Sequence, residues 1–291
     1  MWFYLAIANS FFSAISVVLT KKLLRHVSAT LLTWTVLVLA TPIVFLYVLK
    51  EGFPAVNGLF YASIIGSVLF YTSGKLIQYR AIRQASLSEV YPLVALGPIV
   101  TLVIAALPPL KEQPQILAVA GVLITLSGCY LLNFQSWRQG LLEPFRQLIV
   151  NTSARLMLVA ILLDSVVTVF DKIAITHTLP VNAVFVLMVE NLLTIVLLIP
   201  VLQIRESAIM RTLRINWKPL LILGFLEAVT AILGFSAIGG GDVALVLTLF
   251  RMKILFVLLF SYLFLGDKPK KQTVVGSLIM AVGVVVIKLY S

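Results

Sequence analysis

The chain has 291 residues, of which 61% are hydrophobic and only 11% charged, and a water-soluble domain of that size needs a far more polar surface. A formal charge of +11 raises the question of nucleic acid, but the basic residues are spread over many short connections and form no continuous stripe, so no nucleic-acid partner is expected.

Taken in chain order, apolar runs long enough for a helix to cross a hydrocarbon core of about 30 Å recur throughout. They predict ten transmembrane helices, over residues 2–20, 31–49, 57–79, 90–107, 115–134, 156–174, 182–202, 219–238, 243–265 and 273–290. The first lacks a basic start and an Ala-x-Ala-like cleavage site and is followed by Lys21 and Lys22, so it reads as a retained helix. The longest connection, about residues 136–155, carries Trp137, Leu141, Leu142, Phe145, Leu148 and Ile149. It reads as an amphipathic linker on the bilayer surface between two halves, 1–135 and 156–291.

Cys129 lies among small residues in the fifth span, a packing position, and one cysteine excludes an internal disulfide or thiolate cluster. His26 and His177 fall in connections, so neither a histidine zinc site nor a buried catalytic base is apparent, and no cofactor is expected. Gly-rich phosphate loops and His-Glu-x-x-His are absent from the sequence, which leaves ATP hydrolysis and zinc proteolysis without support.

The connections after helices one, three, five, seven and nine, with their helix ends, hold sixteen of the 22 basic residues, Lys75 among them. The other side holds Lys50, Lys111, Lys172 and Lys288. By the positive-inside rule the basic side faces the cytoplasm and both termini lie outside.

A shift of 155 residues pairs Glu112 with Asp267, Pro114 with Pro269, Gly121 with Gly276 and Gly128 with Gly283. Each set is an acidic turn, a proline and a helix with two glycines on one face, where neighbouring helices can approach closely. Five crossings per half is an odd number, so the second half enters from the opposite side and the repeat is inverted. The expected fold is thus an all-α membrane protein of ten helices in two inverted five-helix repeats, an architecture common among secondary transporters.

Leu265-Gly266-Asp267-Lys268 resembles the Leu-Gly-Glu turn of EamA-type members of the drug/metabolite transporter superfamily, and Lys111-Glu112 resembles its partner. Ala81 to Pro98, with Ser86, Ser88 and Pro92, and Ala237 to Lys253 are similar to the family's third-to-fourth and eighth-to-ninth connections. The resemblance implies ten helices, alternating access and movement of amino acids, other metabolites or drugs, often coupled to an ion or an exchanged solute, in a bacterial-type plasma membrane. It also implies cytoplasmic termini, opposite to the charge count. Asp267 departs from the usual glutamate, and Lys253 falls about where the first half has Pro98.

Asp164, Glu190, Glu227, Arg251 and Lys253 lie near the middles of apolar spans, each at a cost of about 2.5–3.5 kcal/mol on insertion scales. They must face partners or a wet cavity. Asn9 is paired with Asp164 by the same shift. Two residues apart on a continuous helix, Arg251 and Lys253 point about 200° from one another and are not expected to share one wall. Arg251 is the better candidate to offer a carboxylate a planar fork, with an ion pair to Glu227 or Glu190 as the alternative. Glu227 or Glu190 could exchange a coupling proton. Lys75 is expected to snorkel from a helix end, and Asp171 with Lys172 to form a solvated interfacial pair. Trp34, Tyr71, Tyr79, Tyr91 and Phe235 could line a cavity or merely pack.

Two other classes compete with a carrier of small organic solutes. Gly239-Gly240-Gly241-Asp242 satisfies the Gly-x-Gly-Asp pattern of intramembrane aspartyl proteases, with Asp164 or Asp171 as partner; the plain alternative is a turn with Asp242 capping the ninth helix. A lipid translocase or non-transporting scaffold would call for a cavity open to lipid, and intramembrane charges argue against a passive scaffold. Membrane lipid is a partner in every case, and the sequence is silent on oligomeric state.

Overall fold

The computed structural model describes residues 1–84, 96–132, 151–205, 209–265 and 271–291. The helices are α1 (Trp2–Leu23), α2 (Ala29–Glu51), α3 (Gly58–Gln84), α4 (Gly97–Ala105), α5 (Ile116–Leu132), α6 (Thr152–Thr176), α7 (Ala183–Arg205), α8 (Ile209–Gly240), α9 (Val243–Phe250), α10 (Lys253–Leu265) and α11 (Lys271–Tyr290). Two-residue strands β1 (Ala55–Val56) and β2 (Thr178–Leu179) pair antiparallel, a small departure from an all-helical chain.

Short polar side chains set the starts of several helices by accepting an otherwise orphaned backbone N–H. Ser28 accepts from Leu31 N at 3.2 Å, Asn57 from Phe60 N at 3.2 Å, Asn151 from Ser153 N at 2.8 Å and Asn182 from Phe185 N at 2.9 Å. The cap at Asn151 starts α6 four residues before the expected 156. Helix α8 starts ten residues before the expected 219 and is kinked at Asn216 (φ −107°, ψ 16°), three residues ahead of Pro219, whose ring removes a donor and crowds the preceding turn. The ninth expected span is two helices, α9 and α10, joined by a turn at Arg251 and Met252. The expected linker at 136–155 lies outside the described residues up to 150.

Among the described residues six helical stretches are long and apolar enough to cross a membrane: Trp2–Leu23, Ala29–Glu51, Gly58–Gln84, Ala183–Gln203, Thr212–Gly240 and Val243–Phe260. Shorter apolar helices cover Ile116–Leu131 and Val274–Tyr290. Polarity is arranged for lipid: Leu46, Ile65, Val196, Ile222 and Val282 are exposed, while Asn9, Ser67, Asp171, Glu190 and Arg251 are buried. This is an integral multi-pass membrane protein.

Packing between the halves comes in matched pairs. Helix α3 packs on α6 and α1 on α8; α2 packs on α8 and α3 on α7; α4 packs on α6 and α10 on α1. Exchanging each first-half helix for its second-half equivalent turns one member of each pair into the other. The contacts of α5 with α11 and of α2 with α7 map onto themselves, and α9 also packs on α1, α4 and α5, its equivalent at residues 88–95 lying outside the described residues. Gly121 lies against Gly283 and Gly128 against Gly276, so α5 and α11 cross antiparallel. Ser10 and Ser165, equivalent under the 155-residue shift, each donate within their own helix, to Ala6 O and Ile161 O, and across to the other half. Ser10 reaches Leu249 O at 2.8 Å, and Ser165 reaches Gly97 O at 3.2 Å.

The chain ends share a face, since Lys288 Nζ lies 5.2 Å from the Tyr4 ring. One apolar cluster, including Leu23, Leu31, Ile82, Met157 and Leu220, fills the opposite end. Another, with Phe60, Ile64, Ile175, Val186 and Ile238, fills the end near the termini. Polar side chains concentrate between them.

Candidate functional site

Between the two clusters lies a cavity of about 310 Å3, walled by α1, α2 and α3 of the first half and by α6, α7, α8 and the α9–α10 break of the second. The six side chains proposed from sequence, Asn9, Asp164, Glu190, Glu227, Arg251 and Lys253, all line it. Asn9 is anchored by a hydrogen bond from Nδ2 to Thr230 O at 2.6 Å, which ties α1 to α8.

Arg251 and Lys253 share the cavity wall, contrary to the expectation from a continuous helix. The reason is the break: Arg251 closes α9, Lys253 opens α10, and the intervening turn removes the fixed 100° step per residue. Arg251 is buried, with Nη2 beside Gly97; a Cβ on that glycine would stand 2.7 Å from the nitrogen. Glycine at 97 therefore makes room for the guanidinium.

Lys75 does not snorkel. Helix α3 continues to Gln84, which places Lys75 away from its end, and the ammonium turns inward to Glu227 Oε1 at 3.7 Å. The rings of Tyr71 and Tyr79, one turn to either side, lie 5.7 and 5.2 Å from Nζ. Ser16 donates to the other carboxylate oxygen of Glu227 at 3.3 Å. The ion pair of Glu227 thus comes from the first half. The spacing Tyr71-x3-Lys75-x3-Tyr79 on one helical face was the legible signal for this.

Asp171 and Lys172 are not a solvated pair either. Asp171 is 4% exposed, accepts from the Ser67 hydroxyl, and lies within hydrogen-bonding reach of Glu190. Its signal was the seven-residue spacing from Asp164, which repeats a helical face. Lys172 turns the other way and donates to Ile238 O at 2.7 Å, Gly239 O at 3.3 Å and Gly241 O at 2.9 Å, neutralising the carbonyl end of α8.

Tyr71, Tyr79 and Phe235 line the cavity, whereas Trp34 packs against the apolar cluster at the end opposite the termini. Tyr91 and Asp267 lie outside the described residues. Cys129 is fully buried among apolar side chains.

The acidic turn has a definite partner. Glu112 Oε2 accepts from the backbone N–H of Val243 at 2.8 Å, so a first-half carboxylate caps the second-half helix α9. Asp242 occupies the N-cap position with extended backbone, but its side chain makes no capping bond. Glu112 supplies the acceptor instead. Burial pushes the Glu112 carboxyl up from its ordinary value, and the Val243 N–H and Lys172 pull against that. Asp242 is not a wall residue of the cavity that Asp164 and Asp171 line. Among the described residues no group of three His, Cys, Asp or Glu side chains is placed to hold a metal ion.

A solved crystal structure of a protein has the same fold, with a TM-score of 0.71 at 16% identity over 99% of this chain and 95% of the other. No curated protein matches the chain. The family profile of the EamA-like transporter family matches residues 1–134 and again 152–289, once on each side of the connection between halves. The chain belongs to the EamA-like transporter family.

Proposed function

We propose that this protein is a secondary carrier of a small zwitterionic organic solute, an amino acid being the simplest case, working by alternating access between two inverted five-helix repeats that make ten crossings. The observation that carries the reading is the mixture of charge around one cavity: Arg251, Lys253 and the Lys75–Glu227 pair beside Asp164. A carboxylate is matched by the planar fork of Arg251, and an ammonium by Asp164. Tyr71, Tyr79 and Phe235 supply apolar wall for the remainder of the solute.

The paired contacts support alternating access. If the first-half helices adopt the packing now held by their second-half equivalents, and the reverse, the paired interfaces re-form with the opposite end closed. The apolar clusters at the two ends are the seals that would open in turn. Glu112 on Val243 N–H and Lys172 on the end of α8 both fasten the end near the termini.

The experiment is uptake of labelled amino acids, nucleosides and cationic drugs into liposomes holding the purified protein. Zwitterions are expected to accumulate or exchange, with loss of that activity in Arg251→Ala. Transport confined to cations, or none that Arg251→Ala reduces, overturns the assignment.

A further inference from the structure

We infer that Asp171 and Glu190 form a proton-binding pair that holds one exchangeable proton between α6 and α7, set apart from the charges assigned to the solute. Its role in coupling rests on the carrier reading; the bound proton does not.

The two carboxyl groups come from facing helices, are 4% and 7% exposed, and lie within hydrogen-bonding reach of each other. A carboxylate only accepts, so a hydrogen bond between two such side chains requires a proton on one of them. With both ionised, two like charges would sit side by side out of water, which is the least favourable state of such a dyad. The Ser67 hydroxyl donates to Asp171 Oδ1, a contact that favours Asp171 as the ionised, accepting member and Glu190 as the member that carries the hydrogen.

Independent of that bond, the cavity wall at this point holds unused polar atoms. Thr194, one turn beyond Glu190 on the same face of α7, is 1% exposed, and its hydroxyl has no hydrogen-bond partner among the described residues. Glu190 Oε1 is likewise buried without a partner. Buried polar atoms without partners are rare because each forfeits its hydration, and both residues line the cavity. They give a proton, or the water that delivers it, a place to bind between the pair and the cavity.

The ionisable groups that line the cavity with the pair are Asp164 on α6, Tyr71, Lys75 and Tyr79 on α3, Glu227 on α8 and Arg251 and Lys253 at the α9–α10 break; α2 contributes Leu37 and Ala40 to the wall. Lys75 is engaged with Glu227, and Lys172 is turned to the end of α8, so neither cation is placed to compensate a doubly ionised pair. Asp164 is seven residues, or about 10 Å along the helix, from Asp171, which separates the pair from the solute charges by two turns.

The test is infrared difference spectroscopy of the purified full-length protein in detergent during pH steps. A protonated-carboxyl C=O band that shifts in heavy water is expected near neutral pH, lost in Glu190→Gln and displaced in Ser67→Ala. Glu190→Asp, which keeps a carboxyl at that position, is expected to retain the band and guards against a folding defect. An unchanged band in both Glu190→Gln and Asp171→Asn overturns the proposal, as does a carboxylate change that follows sodium rather than pH. A pair that titrates as expected in a protein that transports no solute upholds the proton site while the carrier reading fails. Gradient-driven accumulation that survives intact in Glu190→Gln removes the coupling role while transport stands.

Discussion

Gly121 and Gly283 face each other backbone to backbone: a Cβ on Gly121 would stand 2.9 Å from Gly283 O, and a Cβ on Gly283 would stand 2.7 Å from Gly121 O. Gly128 repeats the contact a little further along, with its Cβ position 2.7 Å from Gly276 O. Backbone cannot withdraw as a side-chain tip can, so these positions are closed to any larger residue.

The sign of a substitution there is a sharp test. Glycine to alanine inside a helix ordinarily stabilises by about 1 kcal/mol. Gly283→Ala and Gly128→Ala are expected to destabilise instead, by about 1–3 kcal/mol, the usual cost of overpacking. Thermal melts of the detergent-solubilised protein measure this, and a raised melting temperature would contradict the contact.

The Lys75–Glu227 pair, half-buried at 21% and 27% side-chain exposure, lies between a surface and an interior ion pair. Lys75→Met alone is expected to cost roughly 1–3 kcal/mol, because Glu227 is left without its cation. Adding Glu227→Gln should recover most of that loss. A double-mutant cycle on melting temperature checks the coupling.

Glu112 is expected to make stability depend on pH in a stated direction. Its carboxyl is raised in the folded protein, so it favours folding most below the ordinary value of 4.5, and that contribution fades as pH rises through the raised value. Glu112→Gln should flatten this dependence and keep an acceptor for Val243 N–H. Glu112→Ala should cost about 1 kcal/mol through loss of the cap. Melting curves across acidic pH compare the three proteins.

Gly97→Ala is expected to displace the Arg251 guanidinium, because the new methyl would occupy the place next to Nη2. If Arg251 holds a carboxylate, the half-saturating solute concentration should rise about tenfold, or ~1.4 kcal/mol, with less effect on maximal rate. Arg251→Lys should behave similarly, since an ammonium lacks the fork. Concentration dependence of uptake distinguishes this from a general folding defect, which would lower the rate alone.

The termini share a face, and basic residues concentrate on the opposite one, even with Lys75 reassigned to the interior. Reporter fusions are therefore expected to place both ends outside the cytoplasm. Activity of a cytoplasm-only reporter at either end would reverse the orientation.

Hydrophobic run length by itself determined that the chain lives in a membrane, and the matched turns at Glu112 and Asp267 revealed the duplication, because both are local properties of a sequence. The glycine spacing foretold a close helix contact but left its partner open. Which side chains meet was decided only by tertiary structure. A continuous helix would have parted Arg251 from Lys253, and the break that joins them lies against Ser10 and Gly97, more than 150 residues away in the chain. Asp171 and Lys172 are adjacent in sequence yet end in different places, one in the cavity and one on the end of α8, because successive helical residues diverge and each finds its partner on another helix.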